Sequence, residues 1–179
     1  DILFSSWAGT VVDNRGGSDG STTHSDTIKK IRMPEKLTET EPIRAFMGWD
    51  GFVLRSEDVH VVDLCRAYME AVRNQSCGKC IPCQTGTTVM ARTLEALCSG
   101  QGRPSDIGYL KEVAETVHCT AKCGIGKTGP LPILHALAHF PEQFKNLVDE
   151  KKTIASGNYH ASVTAPCMEA CPIHLDIPR

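Results

Sequence analysis

No stretch of this chain strings together the roughly 20 apolar residues that a membrane-crossing helix needs, so no membrane span is expected. Charge of one sign is missing too: 19 Lys and Arg stand against 21 Asp and Glu, a formal net charge of −2. Without a basic face, the chain has no evident means of holding nucleic acid or an anionic lipid surface. The opening Asp1-Ile2-Leu3-Phe4 has none of the regions of a secretory signal, which sets the expectation of a cytoplasmic protein. Signatures of bond-making catalysis are absent as well. There is no Ser-His-Asp order with nucleophile-elbow glycines and no pair of carboxylates in an acid/base motif, so no catalytic site of its own is expected. Aromatics are scarce at 6%, which makes the positions of Phe4, Trp7, Phe46, Trp49 and Phe52 informative.

What the chain has in abundance is cysteine, nine in 179 residues. A secreted disulfide framework favours an even count, and Cys77, Cys80 and Cys83 stand too close together to bridge one another comfortably. Clustered thiols in a reducing compartment read better as metal ligands. Ser76-Cys77-Gly78-Lys79-Cys80-Ile81-Pro82-Cys83 places three of them at C-x2-C-x2-C spacing on one glycine-loosened turn. That geometry suits three corners of a [4Fe-4S] cube and strains a tetrahedral zinc site, which usually pairs its ligands two and two. A fourth ligand lies beyond a helical spacer. Cys123 is preferred, because Gly124 and Gly126 let the backbone fold closely over a cluster. Cys119, four residues earlier, is its rival, and a structural zinc site is the alternative for the whole set. Cys65 and Cys98 fall on apolar helical faces and read as small buried hydrophobes.

Helical periodicity begins at Ser56, which is placed to cap a helix with Glu57 and Asp58 in its first turn. Val59, Val62, Cys65, Met69 and Val72 follow as one apolar stripe. A second helix is predicted from about Pro82 to Gly100, and a third opens at Pro104-Ser105-Asp106. A fourth covers Leu131 to Phe140, and a short fifth starts at Pro141. Residues 1–55 show no periodic core pattern and carry a polar, glycine-rich stretch from Asn14 to Thr23. They are predicted to form an extended N-terminal arm whose aromatics anchor it to a partner surface. Lys151 to Thr164 reads as a polar linker. The chain is therefore expected to be all-α: an arm over 1–55, a helical domain of four to five short helices around a cluster over 56–150, a linker over 151–164, and a cysteine-containing tail over 165–179.

Two weaker patterns are set aside. Ala121 to Thr128 superficially satisfies a relaxed phosphate-loop pattern. The residues before it are helical rather than a strand, and Gly129, Pro130 and Pro132 disrupt any helix that would receive the phosphates. His135 and His139 sit four apart on one helix without a partner carboxylate, which reads as ordinary structural histidine.

The run Cys77 to Gly86, the helical spacer and Cys123-Gly124-Ile125-Gly126 together resemble a known module. This is the iron–sulfur C-terminal domain of the NADH-binding (51 kDa-type) subunit of complex I, shared with NAD-linked hydrogenases and formate dehydrogenases. The similarity extends through Pro132-Ile133-Leu134 to Phe140-Pro141-Glu142-Gln143-Phe144. It implies a [4Fe-4S] cluster on Cys77, Cys80, Cys83 and Cys123, taking electrons from a nearby flavin. The family's flavin- and NADH-binding domain has no counterpart before Cys77, so FAD and NAD(P)H are expected on a unit outside this segment. Pro166-Cys167-x3-Cys171-Pro172, with Leu175-Asp176-Ile177-Pro178, is similar to the start of the glutamate-synthase small-subunit family of FAD- and NAD(P)H-dependent oxidoreductases. That resemblance makes Cys167 and Cys171 candidate ligands of a second cluster completed outside this segment. The implied role is an electron-relay module of an NAD(P)H- and FAD-linked oxidoreductase. It would link a flavin unit to a redox partner enzyme, such as a 2-oxoacid oxidoreductase or a dissimilatory sulfite reductase, reached through the N-terminal arm. The competing reading is a zinc-stabilised helical docking module without redox function.

Overall fold

In a computed structural model of the chain, residues 2–7, 9–15, 42–49, 51–155 and 157 are described. Four short strands come first: β1 (Phe4–Trp7), β2 (Thr10–Asp13), β3 (Ala45–Gly48) and β4 (Gly51–Leu54). They form one antiparallel sheet in the order β2-β1-β4-β3, two hairpins laid side by side along β1 and β4. Trp7 pairs with Thr10 and Gly48 with Gly51, so each hairpin turns in two residues. Gly9, at φ 78°, takes the left-handed conformation that such a tight turn asks for.

The expectation of an all-α chain with an extended arm is overturned by this sheet: the fold is mixed α/β. The reason lies in where the arm's aromatics go. Phe4 and Phe52 are fully buried, and Phe4 meets Phe140 edge-on with ring centroids 4.8 Å apart. Burying such a ring contributes roughly 1.5–3 kcal/mol, so the chain's own helices offset the ordering entropy that had been assigned to a partner. On the other face, Trp7 stacks on Phe46 with centroids 5.5 Å apart. Its indole crosses Gly48, where a Cβ would stand 2.9 Å from the ring.

Six helices follow among the described residues: α1 (Val61–Gln75), α2 (Ile81–Cys98), α3 (Pro104–Thr120), α4 (Gly124–Thr128), α5 (Leu131–His139) and α6 (Pro141–Glu150). The first starts later than the Ser56 cap predicts. Ser56 instead turns its hydroxyl to Asp58, 3.2 Å away, and the Val61 N–H donates to Gln143 Oε1 of α6 at 2.8 Å. A distant side chain thus satisfies a donor that local capping leaves open. At α3 the local signal holds, with the Arg103 N–H donating to Asp106 Oδ2 at 2.9 Å.

The core runs between the helices and one face of the sheet, through Val61, Val62, Met69, Met90, Leu94, Leu97, Leu110, Ile133 and Phe144. Gly86 brings α2 hard against α3, since a Cβ there would lie 2.1 Å from Val117 Cγ2. Asp63 is buried beside Arg66 at 2.7 Å, and Arg66 reaches Glu95 of α2 at 3.4 Å. After α6 the chain returns across α1 and α2. Ile154 N–H donates to the Cys98 carbonyl at 2.9 Å, and Gly157 N–H to Asp63 Oδ2 at 2.7 Å. Within the described residues, no helix is long and apolar enough to cross a membrane.

Candidate iron–sulfur centre

Four elements meet at one end of the bundle: the last turn of α1, the first turn of α2, the end of α3 and the short α4. Cys77 lies in the connection after α1, followed by Gly78 at φ 67°. That left-handed residue turns the loop back toward α2, and the Gly78 N–H donates to Ser76 Oγ at 3.4 Å. Cys80 is the N-cap of α2 and Cys83 lies in its first turn, with Pro82 between them at a position that favours helix initiation. A spacing of three puts these two thiols on one face of the helix start. Cys123 is the N-cap of α4, reached after α3 ends at Thr120.

The electrostatics tie the four sulfurs together. Burial pushes the Cys83 thiol up, the Ser76 hydroxyl 3.4 Å away opposes that, and Cys80, Cys123 and Cys77 add to the rise as neighbouring thiols. Cys119 is not among its perturbing neighbours. Cys80 is shifted the other way. Backbone hydrogen bonding from Lys122, and then from Cys83, holds its thiol below the ordinary value, with the Lys122 charge helping. A sulfur held by backbone hydrogen bonds beside a helix start is well placed to serve a soft metal centre. Gly126 explains how the α4 segment comes so close: a Cβ there would stand 3.2 Å from Cys83 Cβ and 2.5 Å from Ala121 Cβ. His118, in the last turn of α3, places Nδ1 2.6 Å from the Lys127 carbonyl and fastens the two segments together. Among the described residues, no three His, Cys, Asp or Glu side chains close in tightly enough to hold a single metal ion.

Of the remaining candidates, Cys119 is exposed near the end of α3, at the same end of the bundle as Cys123. Cys65 and Cys98 are buried in the core; burial pushes both thiols up, Cys98 to about 12, which keeps them protonated and inert. His135 and His139 serve the sheet instead of a metal: His135 Nδ1 lies 3.0 Å from Ser6 Oγ, and His139 stacks against Phe4 at 5.3 Å. Cys167 and Cys171 lie outside the described residues. Ser76 and His118 are the participants that spacing alone did not single out, whereas Gly126 was legible from its place beside the preferred ligand segment.

Known proteins share the region that contains these thiols. Residues 63–147 match the family described as the NADH-ubiquinone oxidoreductase-F iron-sulfur binding region. Over 181 aligned residues, covering 99% of this chain but 26% of the relative, the chain is 36% identical to the NADPH-Fe(3+) oxidoreductase subunit beta of Geobacter sulfurreducens. It is 30% identical to the NADP(+)-dependent formate dehydrogenase subunit beta of Moorella thermoacetica, again over 99% of this chain and over 29% of that protein. Among solved structures, an NAD+-reducing [NiFe]-hydrogenase in its H2-reduced state superposes with a TM-score of 0.51 at 26% identity, covering 54% of this chain and 17% of that one. The chain thus spans about a quarter of the length of the curated relatives quoted. Residues 63–147 are therefore similar to the NADH-ubiquinone oxidoreductase-F iron-sulfur binding region.

Proposed function

We propose that this chain is the electron-relay segment of a larger NAD(P)H-linked oxidoreductase, carrying one [4Fe-4S] cluster on Cys77, Cys80, Cys83 and Cys123. The observation that carries the reading is the convergence of the Cys77–Cys83 turn and the α4 segment after Cys123, where a Cβ on Gly126 would stand 3.5 Å from Cys83 Sγ, within a region matching an iron–sulfur family. The donor set fits the group. Four thiols stand on two short segments, Ser76 and the backbone around Lys122 supply hydrogen bonds to sulfur, and such bonds raise cluster potential. When bound, the cluster supplies reversible one-electron storage. The chain's own part is to hold the sulfurs, shield Cys83 in the core and leave the Cys77 and Cys123 side nearer to solvent.

Relatives named as NADPH-, NADP(+)- and hydrogen-linked subunits support a flavin and nicotinamide unit as the source or sink of electrons. In this reading that unit lies on parts of the enzyme outside residues 1–179, with the helical cluster domain over 56–150 as one unit of the assembly. The zinc alternative has no supporting observation here. Anaerobically purified protein is expected to be brown, to hold about four iron and four sulfide per chain, and to bleach on one-electron reduction. Cys123→Ser should remove or convert the cluster, while Cys119→Ser should leave it intact. A colourless, zinc-loaded preparation would refute the relay, and the opposite response of the two variants would refute the ligand set.

A further inference from the structure

The end of the bundle that carries the thiols differs from the rest of the chain in charge. Residues 74–88 and 116–129 contain Lys79, Lys122 and Lys127 and not one Asp or Glu, although the whole chain has a net charge of −2. All three lysines are exposed. Ile81, two residues after Lys79 and next to Cys80, is 76% exposed, the most exposed large apolar side chain among the described residues. Packing does not explain it, for α2 buries Cys83, Met90, Leu94 and Leu97 instead. An apolar centre with a rim of one charge sign has the composition of a small, salt-steered contact of the kind that electron-transfer partners make.

We propose that this face, Ile81 within the rim of Lys79, Lys122 and Lys127, is where an acid-faced redox protein or domain docks and exchanges one electron with the cluster. The proposal rests on the iron–sulfur reading above and adds the place and the charge of the partner. Charge complementarity selects the occupant: carboxylates around the partner's own cofactor edge would meet ammonium groups, and its apolar centre would cover Ile81. Cys80 is the neighbour of Ile81 and touches the Lys122 backbone, so a partner seated there approaches the cluster through very few atoms. A reduced cluster held by these thiols would give up one electron and return to its oxidised form, and the partner's cofactor would be reduced by that electron. No bond is made and no proton moves.

The test uses the 179-residue chain with its cluster reduced by dithionite, mixed rapidly with one of two haem acceptors. Cytochrome b5 presents an acidic haem rim and cytochrome c a basic one. With cytochrome b5 the second-order rate should fall about tenfold as salt rises from about 0.01 M to about 0.15 M. With cytochrome c it should not fall. Lys79→Glu with Lys127→Glu should slow the cytochrome b5 reaction about tenfold at low salt and abolish its salt dependence. Ile81→Asp should slow it several-fold, with visible absorbance and midpoint potential unchanged. A cytochrome b5 rate indifferent to salt and to the lysine substitutions would overturn the docking face. So would a midpoint potential that moves with the lysines and accounts for the rate change, since they would then be tuning the cluster. A chain that holds no iron and shows no visible absorbance would instead bring down the iron–sulfur reading beneath it.

Discussion

At the scale of single residues, the sequence spoke most clearly where chemistry demands an identity. Iron–sulfur clusters are held mainly by thiolates, so Cys77, Cys80 and Cys83 stood out by type and spacing, and Cys123 over its rival Cys119 by the glycines that follow it. Gly126 was read in the sequence as a glycine that lets the backbone close over a cluster; what it meets is legible only in three dimensions, for it sits inside α4, buried, with Cys83 and Ala121 pressed against it. Gly126→Ala places a methyl 2.5 Å from Ala121 Cβ. Overpacking of this sort costs about 1–3 kcal/mol, here spent in pushing α4 away from α2. The expected result is reduced iron and sulfide per chain after reconstitution, with helical circular dichroism retained. Gly108→Ala is the control, because a Cβ there meets nothing within 4 Å. Equal iron content in the two variants would show that the approach of α4 does not matter to the centre.

At the scale of elements, the longer helices were legible, while the sheet and the five-residue α4 were not, for a physical reason. Helices of nine residues or more repeat their apolar period two or three times, whereas four-residue strands give a period of two almost no room. The central strand β1 reads Phe-Ser-Ser-Trp and buries both serines, so the polar positions that should mark a solvent face lie inside. One of them, Ser6, is 3.0 Å from His135 and ties the sheet to α5. The same junction holds Asp13 and Arg15, whose Nε donates to Asp13 Oδ1 at 2.8 Å, while Arg15 caps the Phe140 ring at 4.1 Å. Burial, with His139 adding to it, presses the His135 pKa below its ordinary value. Burial does the same at His60. The sign follows directly. As pH falls below about 6.5 the unfolded rings take up protons first, so stability is present above that pH and is lost as pH drops toward the depressed folded values. Denaturant midpoints should therefore fall between about pH 7 and pH 5, and His135→Gln should flatten part of that slope. An unchanged slope in the variant would remove His135 from the linkage.

At the scale of the whole molecule, the core and the thiol end are two different sources of order. The largest fully buried side chains are Phe4, Phe52, Phe144, Leu54, Met69, Met90, Leu94, Leu97, Leu110 and Ile133, together with Val61 and Val62. Most stand toward the sheet or the middle of α1, α2 and α3, away from the cysteine turn. Strand pairing, the Asp63–Arg66–Glu95 network and the hydrogen bonds of Thr153 to α2 and Gly157 to α1 secure that part without any metal. At the other end, the connection from Ser76 to Cys80 and the five residues of α4 have few apolar anchors, since Cys77, Cys80, Cys119 and Cys123 are all at least partly exposed. Metal-ligand bonds contribute folding energy where the protein supplies little of its own. Removing the iron by chelation under oxidising conditions should consequently loosen residues 76–83 and 119–129 and spare the rest. Hydrogen exchange should show amide protection lost in those two segments, while α1, the middle of α2 and strands β1 and β4 keep theirs. Loss of protection throughout the chain would mean that the cluster nucleates the whole fold, and that the core built on Phe4, Phe52 and Phe144 is insufficient without it.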